Sequence, residues 1–289
     1  MEFTGILKEY SGSSIPDKLP PLGRELYFCC LEYMHEAFGD NVEYERLLND
    51  QVLLCPATRE ALYLAPKPTK YRRGMRPALD EIVDAVTADA KCELDSAIAI
   101  VAYIRDLKEK SGGRDYFYGG TEEELIKKGE RYCERVARLM VALLEVKGIA
   151  ARIVFHMTGH LTVEAYVDGK WGYFDPRYGL FYLDADGRAM SVAELAERPD
   201  MIYKQEPWVY AYGSKEKTAE EMAKNNCDNY LHPDQIQIFG YYTLTDSDKF
   251  HYEWMPSYIY PIPSREAAHK RFVSAIKEYV KTTRISCSL

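Results

Sequence analysis

The stretch Gly129–Phe155, "GERYCERVARLMVALLEVKGIAARIVF", changes its hydrophobic period twice. After the glycine, Val136, Leu139, Met140, Leu143 and Leu144 recur at spacings of one, three and four, which makes one buried stripe along a helix. A second glycine, Gly148, then passes the chain to the apolar strand "ARIVF". Cys133 lies three residues before Val136 on the same stripe, so it points toward whatever the helix covers. The short connection through Gly148 makes the following strands the natural partner. Two readings of Cys133 remain open at this point: a nucleophile, or a small hydrophobe on a packed face.

The strands after it fix a second element. "HLTVEAYVDGKWGYFDP" alternates in polarity and contains Asp168-Gly169, the pair favoured in two-residue hairpin turns. With those two residues in the turn, Val167 faces Lys170 and every later pair of partners has numbers that sum to 337 by the register rule. Thr162 then faces Asp175 and His160 faces Arg177. Side chains alternate between faces, so His160, Thr162, Glu164 and Tyr166 share a face with Trp171, Tyr173 and Asp175. His160 and Asp175 become diagonal neighbours, near enough for the carboxylate to bond the imidazole.

Upstream, the chain reads as mainly helical. "GRELYFCCLEYMHEAFG" (23–39) spaces its apolar residues for a helix, "APKPTKYRRGMRP" (65–77) is a basic, proline-rich connector, and Leu94, Ala97, Ile98, Val101 and Ile104 form the buried face of a long helix from Cys92. "SGGRDYFYGG" breaks that helix. Beyond Pro176 short helical patterns, two strands ("QIQIFGYYTLT", "FHYEWMPSYIY") and a final amphipathic helix follow. The order implies an α+β fold of three parts: an N-terminal mainly helical region (1–79), a core (80–185), and a tyrosine-rich C-terminal region (186–289) packed on it. The 24 tyrosines crowd the second half and read chiefly as aromatic core.

Composition narrows the function classes. A net charge of −8 over 289 residues provides no basic field for nucleic acid or anionic membrane, and 47% hydrophobic residues supply a substantial core. The start "MEFTGILKEYSGSSIPDKLP" lacks a secretory signal and no stretch is apolar enough to span a membrane, so a cytoplasmic protein is expected. Seven cysteines without regular spacing or a CxxC pair argue against a disulfide framework and a zinc site. His156 and His160 in "HMTGH" share a face only on a helix, and the segment reads as strand and turn, so no metal pair is expected. "NNCDNYLHPD" reads as a loop carrying Cys227 as a surface thiol, and its "HPD", though similar to a co-chaperone signature, lacks the helical hairpin that belongs with it.

A thiol, an imidazole and a carboxylate in this order suit nucleophilic catalysis. Only the thiolate attacks well, and an ordinary cysteine near pKa ~8.5 is mostly protonated in a cell. A neighbouring imidazolium and the unpaired N–H groups of a helix N-terminus both stabilise the thiolate. The second effect needs Gly129 to break the preceding "TEEELIKK" helix. On this reading the helix brings the thiol toward the face bearing His160 and Asp175.

The order G-x-x-x-C before an apolar helix, "KGIAARIV", a histidine opening a strand, "DGKW" and "DP" resembles the transglutaminase-like superfamily of papain-type cysteine enzymes over about Asp80 to Tyr182. The resemblance implies a papain-like core with the cysteine helix packed on an antiparallel sheet. It also implies Cys133 as nucleophile, His160 as general base and acid, and Asp175 as the orienting carboxylate. Two positions differ from the family's habit: Arg131 stands where a glycine is common, and Thr162 where an aromatic residue is common. Both bear on the substrate cleft more than on the triad. The Cys133 backbone N–H and a side chain such as Tyr116 or Tyr118 are the candidate oxyanion donors.

The expected reaction is acyl transfer or hydrolysis at an amide or peptide carbonyl through a thioester, on a peptide, protein or small amide, with no cofactor and no metal. The rivals are a catalytically inactive scaffold with the same fold and a small-molecule acyltransferase or cyclase of biosynthesis.

Overall fold

The structure, a computed structural model, describes residues 52–54, 59–60, 62–66, 68–110, 121–156, 160–213, 219–231 and 237–240. Their elements in chain order are β1 (Val52–Leu53), α1 (Pro77–Val86), α2 (Glu93–Lys110), α3 (Glu122–Lys128), α4 (Cys133–Lys147), β2 (Ala151–His156), β3 (His160–Val167), β4 (Lys170–Asp175) and β5 (Leu180–Phe181). There follow α5 (Val192–Glu197), α6 (Asp200–Tyr203), α7 (Pro207–Ala211), α8 (Ala219–Asn229) and β6 (Gln237–Gly240). The helix expected at 23–39, Tyr116 and Tyr118, the "HPD" motif, the strand "FHYEWMPSYIY" and the final helix lie outside the described residues.

The six strands form one sheet in the order β1-β6-β2-β3-β4-β5, with every pairing antiparallel. The β3–β4 hairpin has the register read from its turn, from Val167–Lys170 to Val163–Phe174. Asp168 at φ 50° and Gly169 at φ 82° take the left-handed conformation that such a two-residue turn demands. Asp168 also ties the turn to α2. Its carboxylate accepts the Glu93 and Leu94 N–H groups at 3.3 Å, donors at the helix start that have no partner inside the helix.

Alternation divides the sheet into two buried faces. One presents Ile153, Leu161, Val163, Ala165, Val167 and Phe174, and these join the apolar stripes of α1, α2 and α4 in the larger core. The other presents Val154 and Tyr173 to Leu62, Met190, Val192, Leu195 and Ile202 and to Met222 and Ala223 of α8. Helices therefore cover both sides, and the fold is α+β with the cysteine helix packed on an antiparallel sheet, as expected.

On that second face the Arg152 and Glu164 side chains, opposite each other on β2 and β3, are fully buried and paired, Nη2 to Oε2 at 2.5 Å. Glu164 Oε1 also accepts from Tyr63 Oη at 3.0 Å and from the Val192 N–H at 2.7 Å. The Arg152 guanidinium stacks over Trp171, 4.0 Å from the ring centroid, and donates to the Leu62 carbonyl. A buried charge pair is tolerated only with such a set of partners, and here the set fixes residues 62–64 and the start of α5 onto the sheet.

Three expectations are corrected. The α4 stripe packs on the face bearing Leu161 and Val163, opposite the face bearing His160 and Asp175, because the apolar side chains of β3 are its odd-numbered residues. Cys227 is not a surface thiol in a loop: it lies within α8, 8% exposed, where its turn of helix faces the smaller core. His156 and His160, although on strands, do share a face. The β2–β3 pairing sets them opposite each other, with ring centroids 6.1 Å apart.

Candidate active site

Element lengths bring Cys133 to the sheet's end. The 15-residue helix α4 rises about 22 Å and the six-residue strand β2 returns about 20 Å, so His156, and His160 paired opposite it, stand level with the helix start. The thiol thus meets His160 at the end of the strand and not across the packed face.

The start of α4 is set by the residues before it. Helix α3 carries a capping box between Thr121 and Glu124 and stops at Gly129, whose φ of 78° and ψ of 149° suit only glycine. Glu130 then fixes the connector: Oε1 accepts the Arg131 and Tyr132 N–H groups at 2.8 and 3.0 Å, and Oε2 accepts from Arg135 Nη1 at 2.6 Å. Tyr132 is the extended N-cap residue, and Cys133 is the first helical residue. Its N–H therefore has no acceptor within the helix, and its thiol stands at the positive end of the helix dipole.

His160 and Asp175 are both buried, and His160 Nε2 lies 2.7 Å from Asp175 Oδ2. Asp175 Oδ1 accepts the Arg177 N–H at 3.0 Å and the Tyr178 N–H at 3.3 Å. The carboxylate is thus locked by its own turn, and its other oxygen holds the imidazole with Nε2 protonated and Nδ1 left for the thiol. Cys133 and His160 form a hydrogen-bonded pair, and the Leu161 N–H also points at the sulfur.

Burial alone would push the His160 ring down, but Asp175 and the Cys133 sulfur outweigh it and raise its pKa from 6.5 to about 9. Burial likewise opposes the thiolate, yet the His160 bond and charge, the Leu161 N–H and the Arg177 charge hold Cys133 below the ordinary thiol value. Both shifts favour the pair in its thiolate and imidazolium form.

Several neighbours were not singled out from the sequence. The Tyr230 ring lies on His160 with centroids 4.5 Å apart, and Tyr178 flanks it at 5.9 Å. His156, behind His160, is held at about 3 by burial and by the charge of His160, and is neutral. Its Nδ1 is 2.9 Å from the Tyr230 carbonyl, which can only accept, so Nδ1 carries the proton and Nε2 accepts from the Thr162 hydroxyl at 2.7 Å. The Tyr230 carbonyl thereby sets the tautomer of that second histidine, and the Thr162 hydroxyl completes it by donating to Nε2.

Glu134, beside the thiol, has neither oxygen in a hydrogen bond among the described residues, since Arg135 Nε at 3.2 Å from Oε1 lies off the bonding direction. Burial and the Cys133 charge hold it well above the usual carboxylate range, against the opposing charge of Arg135. Nothing near His160 in sequence announces Tyr230.

Among the described residues no group of three or more His, Cys, Asp or Glu side chains is arranged to hold a metal ion, and no helix is long and apolar enough to cross a membrane. The family model that describes the transglutaminase-like superfamily matches residues 80–176, about a third of the chain, a span that includes Cys133, His160 and Asp175. No curated protein and no solved structure matches the chain.

Proposed function

We propose that this protein carries out cysteine-dependent acyl transfer or hydrolysis through Cys133, His160 and Asp175, a reading supported by the match of residues 80–176 to the model of the transglutaminase-like superfamily, whose members generally do so. The observation that carries the reading is the buried line from thiol to imidazole to carboxylate, with the sulfur at a helix start and its pKa lowered.

The Cys133 sulfur adds to an amide carbonyl, and the carbonyl electrons move to its oxygen. The Cys133 N–H, free of any acceptor in the helix, is one donor to that oxyanion. His160 passes the Nδ1 proton to the departing amine, the C–N bond breaks, and a thioester remains on the sulfur. His160, now neutral, takes a proton from the acceptor, and the acyl group leaves on water or on an amine. Asp175 keeps the ring in one tautomer throughout. The substrate is a peptide, a protein or a small amide. The three described cysteines are all free, which accords with a cytoplasmic setting.

Iodoacetamide at neutral pH tests this. Cys133 should be alkylated well ahead of Cys92 and Cys227, and His160→Ala should abolish that preference, read by peptide mass spectrometry. Equal labelling of the three cysteines in the folded native protein would leave an inactive scaffold as the better account.

A further inference from the structure

Arg177 is a half-buried cation with no acid paired to its side chain among the described residues. It lies two residues past Asp175, and its backbone N–H bond to that carboxylate, 3.0 Å, holds the main chain at the triad. Its guanidinium lies over the Tyr178 ring, 5.3 Å from the centroid, and its charge acts on the Cys133 sulfur. The other buried arginines are paired: Arg135 with Glu130, Arg138 with Glu122, Arg152 with Glu164. Among the described residues no carboxylate stands within ion-pair distance of Arg177, and Asp175 is already occupied by His160 and two backbone N–H groups.

A guanidinium cannot shed its proton and carries five donors in a planar fork shaped for a carboxylate. Among the described residues the Cys133 thiolate and the Asp175 carboxylate are the charges that act on it. The thiolate charge vanishes once the sulfur adds to a carbonyl and becomes a neutral thioester, and Asp175 is already held by His160 and two backbone N–H groups, so an anion brought to the site would take the thiolate's place beside Arg177. The substrate is the remaining source.

We propose that Arg177 anchors a carboxylate carried by the acyl substrate, so that the site takes amides with a negative group close to the scissile carbonyl in preference to neutral ones. The inference rests on Cys133 as the nucleophile. Arg177 is a specificity residue that holds the substrate's anion and leaves the proton transfers to His160.

Iodoacetate and iodoacetamide deliver the same one-carbon alkyl group and differ in charge. The ratio of their rates at Cys133 cancels any change in the thiolate population, and the His160 imidazolium contributes to it in every variant. In Arg177→Gln the ratio should fall about tenfold, the effect of losing one charge-assisted contact, while Arg177→Lys should keep most of it. A ratio in Arg177→Gln equal to the native one, with Cys133 still labelled selectively, overturns the proposal and leaves the thiol chemistry standing. Loss of selective labelling by both reagents in the native protein would instead remove the nucleophile itself.

Protection of Cys133 from iodoacetamide then identifies the carboxylate's source. N-acetylglycylglycine offers a chain-end carboxylate and N-acetylaspartate amide a side-chain one. Protection by either, lost in Arg177→Gln, supports the anchor, and protection by neither counts against it.

Discussion

Replacing Asp175 with asparagine should uncouple the thiol from the imidazole while sparing the packing. Asp175 is the strongest of the groups that raise His160, through its charge and its 2.7 Å bond to Nε2. Lifting the ring from 6.5 to about 9 amounts to roughly 3 kcal/mol of preference for the imidazolium, at ~1.4 kcal/mol per pH unit. The thiolate depends on that imidazolium, because the bond and charge of His160 are the largest influences opposing its desolvation. Asparagine retains an oxygen for the Arg177 and Tyr178 N–H groups but presents no charge to the ring.

The assay is the rate of iodoacetamide alkylation at Cys133 across pH. In the native protein the fast phase should persist below the ordinary thiol pKa of ~8.5. In Asp175→Asn the midpoint should move up toward that value, and the rate at pH 6 should drop at least about tenfold, a conservative share of the ~3 kcal/mol above. Asp175→Glu, which restores the charge, should recover part of the loss. An Asp175→Asn profile that overlays the native one would refute the reasoning, since His160 would then owe its charge to something else.

Two further outcomes follow from the surroundings. His156 has its pKa depressed from 6.5 to about 3, so the folded state binds its proton less readily than the unfolded chain. Its contribution is present above pH ~6.5 and is lost as pH falls toward 3, whereas the raised His160 contributes fully below 6.5 and loses its share only on approach to 9. Between pH 6.5 and 5 His156 should therefore cost about 2 kcal/mol, and His156→Gln should flatten that part of a denaturant-midpoint profile; an equally steep profile would contradict the neutral assignment. Gly129→Ala places a side chain at φ 78°, ψ 149°, and should cost about 1–3 kcal/mol in thermal unfolding as well as slow alkylation of Cys133 by disturbing the start of α4. Native stability and reactivity in that variant would show that the break between α3 and α4 does not depend on the glycine.

What the sequence determined by itself was local. The period of α4, the alternation of β3 and β4 and the Asp168-Gly169 turn each arise from residues a few positions apart, so register and shared face could be counted without coordinates. That counting paired His160 with Asp175, while the break at Gly129 was a condition the sequence posed and the end of α3 meets. The same local logic misdirected the helix stripe. Periodicity says that a face is buried but not against which side of a sheet, and both sides of this one are covered.

Tertiary structure decided the rest, because its partners are far apart in the chain. Tyr230 comes onto His160 from the end of α8, Arg152 and Glu164 are satisfied only when residues 62–64 and α5 close over them, and Cys227 is buried by contacts no window of sequence contains. The charge states belong to this second group as well. His156 and His160 sit opposite each other on neighbouring strands, yet one is held neutral by burial beside a cation and the other charged by a carboxylate and a thiolate, so the same residue type reaches opposite states through its neighbours alone.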